Sequence, residues 1–136
     1  MIYVFADAAY WIATVNPRDQ LHRKARAIRT TLGSFRVVTS EWVFTEMLNH
    51  FAERGPEMRV AASKLIKALL TSAEVVVVPQ TNDDFRAAFD LYCQRPDKAW
   101  SLTDCASFQI MQRYGIESSL TYDRHFEQAG FKALLR

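Results

Sequence analysis

Short runs of apolar, β-branched residues alternate along this chain with longer stretches in which apolar positions recur every three or four residues. Ile2 to Phe5 reads as a strand, and Ala8 to Val15 as a short helix. A polar helix over Asp19 to Leu32 leads into a second strand, Phe35 to Thr39. Two helices follow, Glu41 to Arg54 and Glu57 to Ser72; the first carries an apolar stripe at Phe44, Met47, Leu48 and Phe51. Val75 to Val78 is uniformly β-branched, the pattern of a strand buried on both faces. Helices over Asp83 to Gln94 and Thr103 to Tyr114 precede a weaker strand at Ser118 to Thr121 and a last one near Phe131 to Leu135. Alternation of this kind predicts an α/β fold of three layers, α/β/α, around a central parallel sheet of four to five strands. Residues 1–136 read as one domain, without repeats, low-complexity tracts or linkers.

The four glycines punctuate this layout. Gly33, Gly55 (followed by Pro56), Gly115 and Gly130 each fall just past a predicted helix, the preferred place for a left-handed C-terminal cap. None is left to build a phosphate-cradling loop, which excludes GxGxxG and Walker-type nucleotide sites.

Composition narrows the class further. Hydrophobic residues make up 49% and charged residues 24%, the balance of a globular protein, and no apolar run approaches the length of a membrane span. The N-terminus lacks a basic leader and carries an acid at Asp7, so it does not read as a secretory signal. Cys93 and Cys105 stand alone and read as small buried residues, while His22, His50 and His125 are scattered and give no zinc pattern. These features fit a reducing, cytoplasmic setting. The net charge is only +2, but six basic residues (Arg18, Arg23, Lys24, Arg26, Arg29, Arg36) fall between positions 18 and 36 against one acid, Asp19. A basic surface around an acidic pit suits a protein that must hold a polyanion near carboxylates; a solvated helix face explains the same run equally well.

The candidate chemistry lies in the carboxylates. Ligands of an open parallel sheet bind beyond the carboxyl ends of its strands. Asp7 lies just past the first strand, in Val4-Phe5-Ala6-Asp7, and Asp123 just past the weak strand, in Leu120-Thr121-Tyr122-Asp123. Asp104 opens the helix that feeds that strand. Taken singly, each is more simply a helix cap, and Ser101-Leu102-Thr103-Asp104 matches a capping box. Three together on one edge repel, and protonation or a metal ion relieves the cost. Glu46 points away from its helix's apolar stripe, toward solvent or the cleft, and periodicity alone does not promote it. Asp97, beside Lys98 in a loop opened by Arg95-Pro96, reads as a loop charge.

These segments together resemble the PIN-domain nucleases, and specifically the VapC-like toxins of bacterial toxin–antitoxin pairs, over nearly the whole chain. The resemblance rests on the strand ending in Asp7, on Glu46 within Ser40-Glu-Trp-Val-Phe-Thr-Glu46-Met-Leu-Asn, on Asp104 within Trp100-Ser-Leu-Thr-Asp104-Cys-Ala-Ser-Phe, and on Asp123 within Leu120-Thr-Tyr-Asp123-Arg-His-Phe. It implies that Asp7, Glu46, Asp104 and Asp123 form the acidic quartet that holds Mg²⁺ or Mn²⁺. Asp7 and Asp104 would be the main ligands, with Glu46 and Asp123 acting through water. Thr103 and Thr121 match small polar positions beside the acids. The implied activity is metal-dependent endoribonuclease cleavage of RNA by a toxin that a VapB-like antitoxin inhibits, and the implied assembly is a homodimer. The aromatic helix positions Trp11, Trp42, Phe44 and Phe51 offer themselves as an antitoxin groove, but aromatics at helical spacing are more often core.

The alternative is a non-catalytic PIN-fold module that binds RNA or protein. An aspartyl phosphatase requires a second Asp two residues after the first, where this chain has Ala9, and a receiver domain requires paired acids near the first strand; both are disfavoured. The same carboxylates also suit cleavage of DNA.

Overall fold

The computed structural model describes residues 2–136. In chain order its elements are β1 (Ile2–Ala6), α1 (Ala8–Val15), α2 (His22–Leu32), β2 (Phe35–Ser40), α3 (Glu41–Phe51), α4 (Pro56–Thr71), β3 (Val75–Val78), α5 (Asn82–Gln94), α6 (Leu102–Tyr114), β4 (Ser118–Leu120), α7 (Arg124–Gln128) and β5 (Lys132–Ala133). All strand pairs are parallel, in the order β3-β2-β1-β4-β5. Right-handed crossovers then put α1 to α4 on one face and α5 to α7 on the other, which gives the expected three layers. The chain winds outward from β1 through β2 to β3, then returns to build β4 and β5 on β1's other side. The sheet's topological switch point therefore lies between β1 and β4, with Phe5 opposite Ser119 and Ala6 opposite Leu120.

Several boundaries differ from the sequence reading, each for a local reason. The polar helix begins at His22 and not at Asp19, because the Asp19 carboxylate accepts a hydrogen bond from the Leu21 N–H (2.8 Å) and closes a side-chain turn. β3 is not buried on both faces. It is an edge strand with one neighbour, and Val75, Val76 and Val77 are half-buried while Val78 is buried. Leu48 drops out of the apolar stripe and is exposed, whereas Phe44, Met47 and Phe51 are buried. All four glycines take positive φ; Gly115 and Gly130 close α6 and α7 with the same C-terminal hydrogen-bond pattern, Ile116 N–H to the Met111 carbonyl (2.8 Å) and Phe131 N–H to the Phe126 carbonyl (2.9 Å), while Gly55 stands before Pro56 as the N-cap of α4. Cys105 is buried as expected, and Cys93 is exposed.

The core runs along both faces of the sheet. Trp11, Trp42, Phe44 and Phe51 are buried in it, so they belong to the core and not to an open groove. On the other face Phe108 of α6 packs edge-on against Trp100 and Phe126 (ring centroids 5.0 Å in both pairs), and Phe126 of α7 leans on Phe5 of β1. No helix among the described residues is long and apolar enough to cross a membrane.

Candidate metal centre and active site

Asp7 is delivered by β1 and locked by its neighbours. Its N–H donates to the Leu120 carbonyl (3.3 Å), which continues the β1–β4 pairing one residue past the strand. Its carboxylate accepts a hydrogen bond from the Thr121 hydroxyl (2.9 Å), joining residues 114 positions apart. Beneath it, the Trp11 indole donates to Thr39 Oγ1 (3.1 Å), and Thr39 donates to the Ala6 carbonyl (2.9 Å). Although Asp7 is the N-cap residue of α1, its side chain makes no capping bond. Capping therefore does not explain this buried acid.

Asp104 and Asp123 do cap their helices, and they sit at the site as well. Ser101 and Asp104 form the reciprocal box read from the sequence: the Ser101 N–H donates to Asp104 Oδ2 and the Asp104 N–H to Ser101 Oγ, both at 3.0 Å. Asp123 accepts from the His125 N–H (2.9 Å), while its own N–H donates to Thr121 Oγ1 (3.1 Å). Each acid has an apolar anchor one helical turn onward, Phe108 for Asp104 and Phe126 for Asp123, so the aromatic cluster below fixes the carboxylates above. Thr121 thus bridges Asp7 and the Asp123 backbone; among the described residues no hydrogen bond joins Thr103 to the acids.

Electrostatics ties the set together. Burial first, and then the Glu46 charge, pushes the Asp7 carboxyl up to about 7. Burial also raises Glu46, with Asp104 and Asp123 adding to it, and raises Asp104 against the hydrogen bond from Ser101. Glu46 as a residue is exposed on α3, yet its carboxyl feels both acids contributed by the opposite face of the sheet. Charge coupling thus links Asp7 with Glu46 and Asp104, and Glu46 with Asp104 and Asp123. Asp97 does not join them: it is exposed and held by Arg95 in a two-pronged ion pair (2.8 and 2.9 Å), whose hydrogen bonds lower its carboxyl to about 2.

The geometry adds a residue that sequence reading passed over. His125 Nδ1 lies 3.0 Å from Asp123 Oδ1 and 3.4 Å from Asp104 Oδ2. Asp104, Asp123 and His125 each offer a ligand atom within 4.8 Å of the other two; among the described residues neither Asp7 nor Glu46 enters a group that tight. The available signal was the Asp-x-His spacing at the start of α7, obscured by treating the three histidines as unrelated. The basic segment, by contrast, does not simply rim the pit. Arg29 and Arg36 line a cavity of about 570 Å³ with Glu74 and Val75 at the amino-terminal ends of β2 and β3, the sheet edge away from the acids.

Chemically, a cluster of carboxylates with one imidazole, deficient in positive charge, fits a divalent cation bound by oxygen and nitrogen. Comparison with known proteins agrees in fold and extent. VapC20 of Mycobacterium tuberculosis, a 23S rRNA-specific endonuclease, is 29% identical over 129 residues in both the CDC 1551 / Oshkosh and the H37Rv strains, covering 94% of this chain and 95% of that protein. The crystal structure of VapC20, described as a sarcin–ricin loop cleaving toxin, superposes with a TM-score of 0.82 at 26% identity, again over 94% of this chain and 95% of that one. The family model of the PIN domain matches residues 4–132, and the chain belongs to the PIN-domain family.

Proposed function

We propose that this protein is a divalent-metal-dependent endoribonuclease that acts as the toxin of a toxin–antitoxin pair. One observation carries the reading: Asp7, Glu46, Asp104 and Asp123, remote in sequence, are coupled by charge at the switch point, and burial together with that coupling raises the proton affinity of Asp7, Glu46 and Asp104. Such a group is stabilised by a cation, and Mg²⁺ or Mn²⁺ suits its oxygen donors. When bound, the ion supplies Lewis acidity toward a phosphodiester and toward the attacking water.

The chain's own residues do the positioning. Thr121 holds one oxygen of Asp7 while the Ala6–Thr39–Trp11 relay fixes the backbone beneath it. The capping bonds to Asp104 and Asp123 fix those two in the same way. Glu46 is the acid on the exposed helix surface, and it has the freedom to orient water. The kinship with VapC20 makes 23S ribosomal RNA the first substrate to test, and that relative's description as a toxin supports an antitoxin of the VapB kind as partner.

A homodimer has support of its own. Phe85, Phe89 and Tyr92 follow one another at i, i+4, i+7 on α5 and are 42%, 49% and 51% exposed. Phe85 stacks on both Trp42 and Phe89 (6.2 Å in each case). Around them α5 carries Asp83, Asp84 and Asp90 against Arg86, with Asp84 paired to Arg113 of α6 (3.0 Å). The stripe is self-complementary: antiparallel pairing of two α5 helices sets Phe85 against the partner's Tyr92 and Arg86 against the partner's Asp90, as a two-fold interface requires.

The test is cleavage of ribosomal RNA by the purified protein and by the single variants Asp7→Asn, Glu46→Gln, Asp104→Asn and Asp123→Asn. Asp7→Asn and Asp104→Asn should fall to background with unchanged circular dichroism. Wild-type rates in either would exclude the assigned role.

A further inference from the structure

The proposed cation site contains a donor outside the acidic quartet. His125 Nδ1 is shielded from solvent, although its side chain is 28% exposed, and it lies at ion-pair distance, 3.0 and 3.4 Å, from oxygens of Asp123 and Asp104 without hydrogen-bond geometry to either. The backbone that carries His125 is anchored. Its backbone N–H is held by the Asp123 carboxylate, and the next residue, Phe126, is fully buried against Phe5 and Phe108. The spacing suits ligation. Neighbouring donors of a six-coordinate ion at about 2.1 Å stand about 3.0 Å apart.

We infer that His125 is a metal ligand in this protein, coordinating through Nδ1 beside Asp104 and Asp123, and that it turns an oxygen site suited to Mg²⁺ into a mixed nitrogen–oxygen site that prefers first-row transition ions. Imidazole contributes little to binding Mg²⁺ and progressively more from Mn²⁺ through Co²⁺ to Ni²⁺. The inference deepens the metal-dependent reading above and rests on it for the location of the site, but it concerns which ion binds and through which atom. It also changes the division of labour among the acids: Asp104, Asp123 and His125 form the tight ligand group, and Asp7 with Glu46 supplies negative charge at its margin.

The experiment reads metal binding, not turnover. Mn²⁺ alone is added to the protein and its nitrogen couplings are recorded by pulsed electron paramagnetic resonance. In parallel, Mg²⁺ and Co²⁺ affinities are measured by calorimetry for wild type, His125→Ala and His125→Asn. A directly bound imidazole nitrogen should appear in wild type and vanish in His125→Ala, in which His22 and His50 remain as internal controls. The preference for Co²⁺ over Mg²⁺ should drop by about tenfold in both variants. Mg²⁺ affinity should be retained best in His125→Asn, whose amide oxygen replaces the ring nitrogen. Thermal melting of each variant separates a lost ligand from a lost fold. A wild-type spectrum without nitrogen coupling, or one unchanged in His125→Ala, overturns the inference while leaving RNA cleavage open. Nitrogen ligation in a protein that cuts no RNA supports the inference and overturns the nuclease reading instead.

Discussion

At the scale of single residues, the site is a set of side chains held where they are unfavourable. Asp7 is the plainest case: it is buried, hydrogen-bonded to Thr121 and raised to about 7. An acid whose folded value stands above its unfolded one binds protons more tightly in the native state, so folding stability falls as pH rises. The loss begins near the unfolded value of 3.8 and is complete above about 7. The raised values of Glu46 and Asp104 act in the same direction. In metal-free buffer the protein should therefore be more stable at pH 5 than at pH 8. Asp7→Asn should remove roughly 2–3 kcal/mol of that difference, measurable by urea denaturation at the two pH values. A cation added at pH 8 should restore stability to wild type more than to the variant. An identical pH dependence in the two proteins would contradict the burial assigned to this carboxylate. Asp7, Asp104 and Asp123 were legible in the sequence because each follows a strand or opens a helix, whereas Glu46, midway along α3, was reached only through the family resemblance. His125 was passed over: its Asp-x-His spacing stood in the sequence, but the direction of the ring nitrogen that brings it to the acids is not encoded by spacing.

Among the elements, function depends on how α6 and α7 are seated on the sheet. Asp104 and Phe108 share one face of α6, and Asp123 and Phe126 share the first turn of α7, so the packing of Phe5, Trp100, Phe108 and Phe126 transmits position to the carboxylates. Phe126→Ala should cost about 3–5 kcal/mol by opening a cavity beneath the site. Below the resulting melting temperature it should also weaken cation binding, although no ligand has been removed; calorimetry with Mn²⁺ reads this directly. Unaltered binding would show that α7 holds its place by other means. Hydrophobic periodicity identified every strand and every helix except the five-residue α7, because most of these segments bury a continuous stripe or a β-branched run. It misjudged places where something else decides: the side-chain turn at Asp19 that delays α2, and the edge position of β3, which the four valines do not reveal. Strand order is set by long-range pairing, and a local pattern carries no record of it.

For the molecule as a whole, the sheet order β3-β2-β1-β4-β5 brings β1 and β4 side by side and so turns two distant strand ends into one site. The aromatic stripe of α5 is the surface proposed above for a dimer. If two α5 helices pair about a two-fold axis, Phe89→Asp should give monomers by light scattering. Arg86→Asp and Asp90→Arg should each weaken the dimer, and the double variant should recover it. Failure of the double variant to regain what the single changes lose would argue against this register, and a monomeric wild type would remove the interface altogether. The parallel sheet and its layers were expected from the sequence. The placement of Arg29 and Arg36 at the sheet edge away from the acids was not, since charge along a helix says nothing of which edge that helix meets.

The central claim is that a divalent ion held by this cluster drives the cutting of RNA. The most direct measurement maps cleavage of 23S ribosomal RNA by the purified wild-type protein, first stripped with EDTA and then resupplied with Mg²⁺ or Mn²⁺, with Asp104→Asn run alongside. The account predicts discrete cuts that vanish with EDTA, return with the ion, and never appear with the variant. Cleavage that persists in EDTA, or that Asp104→Asn performs at the wild-type rate, would contradict it.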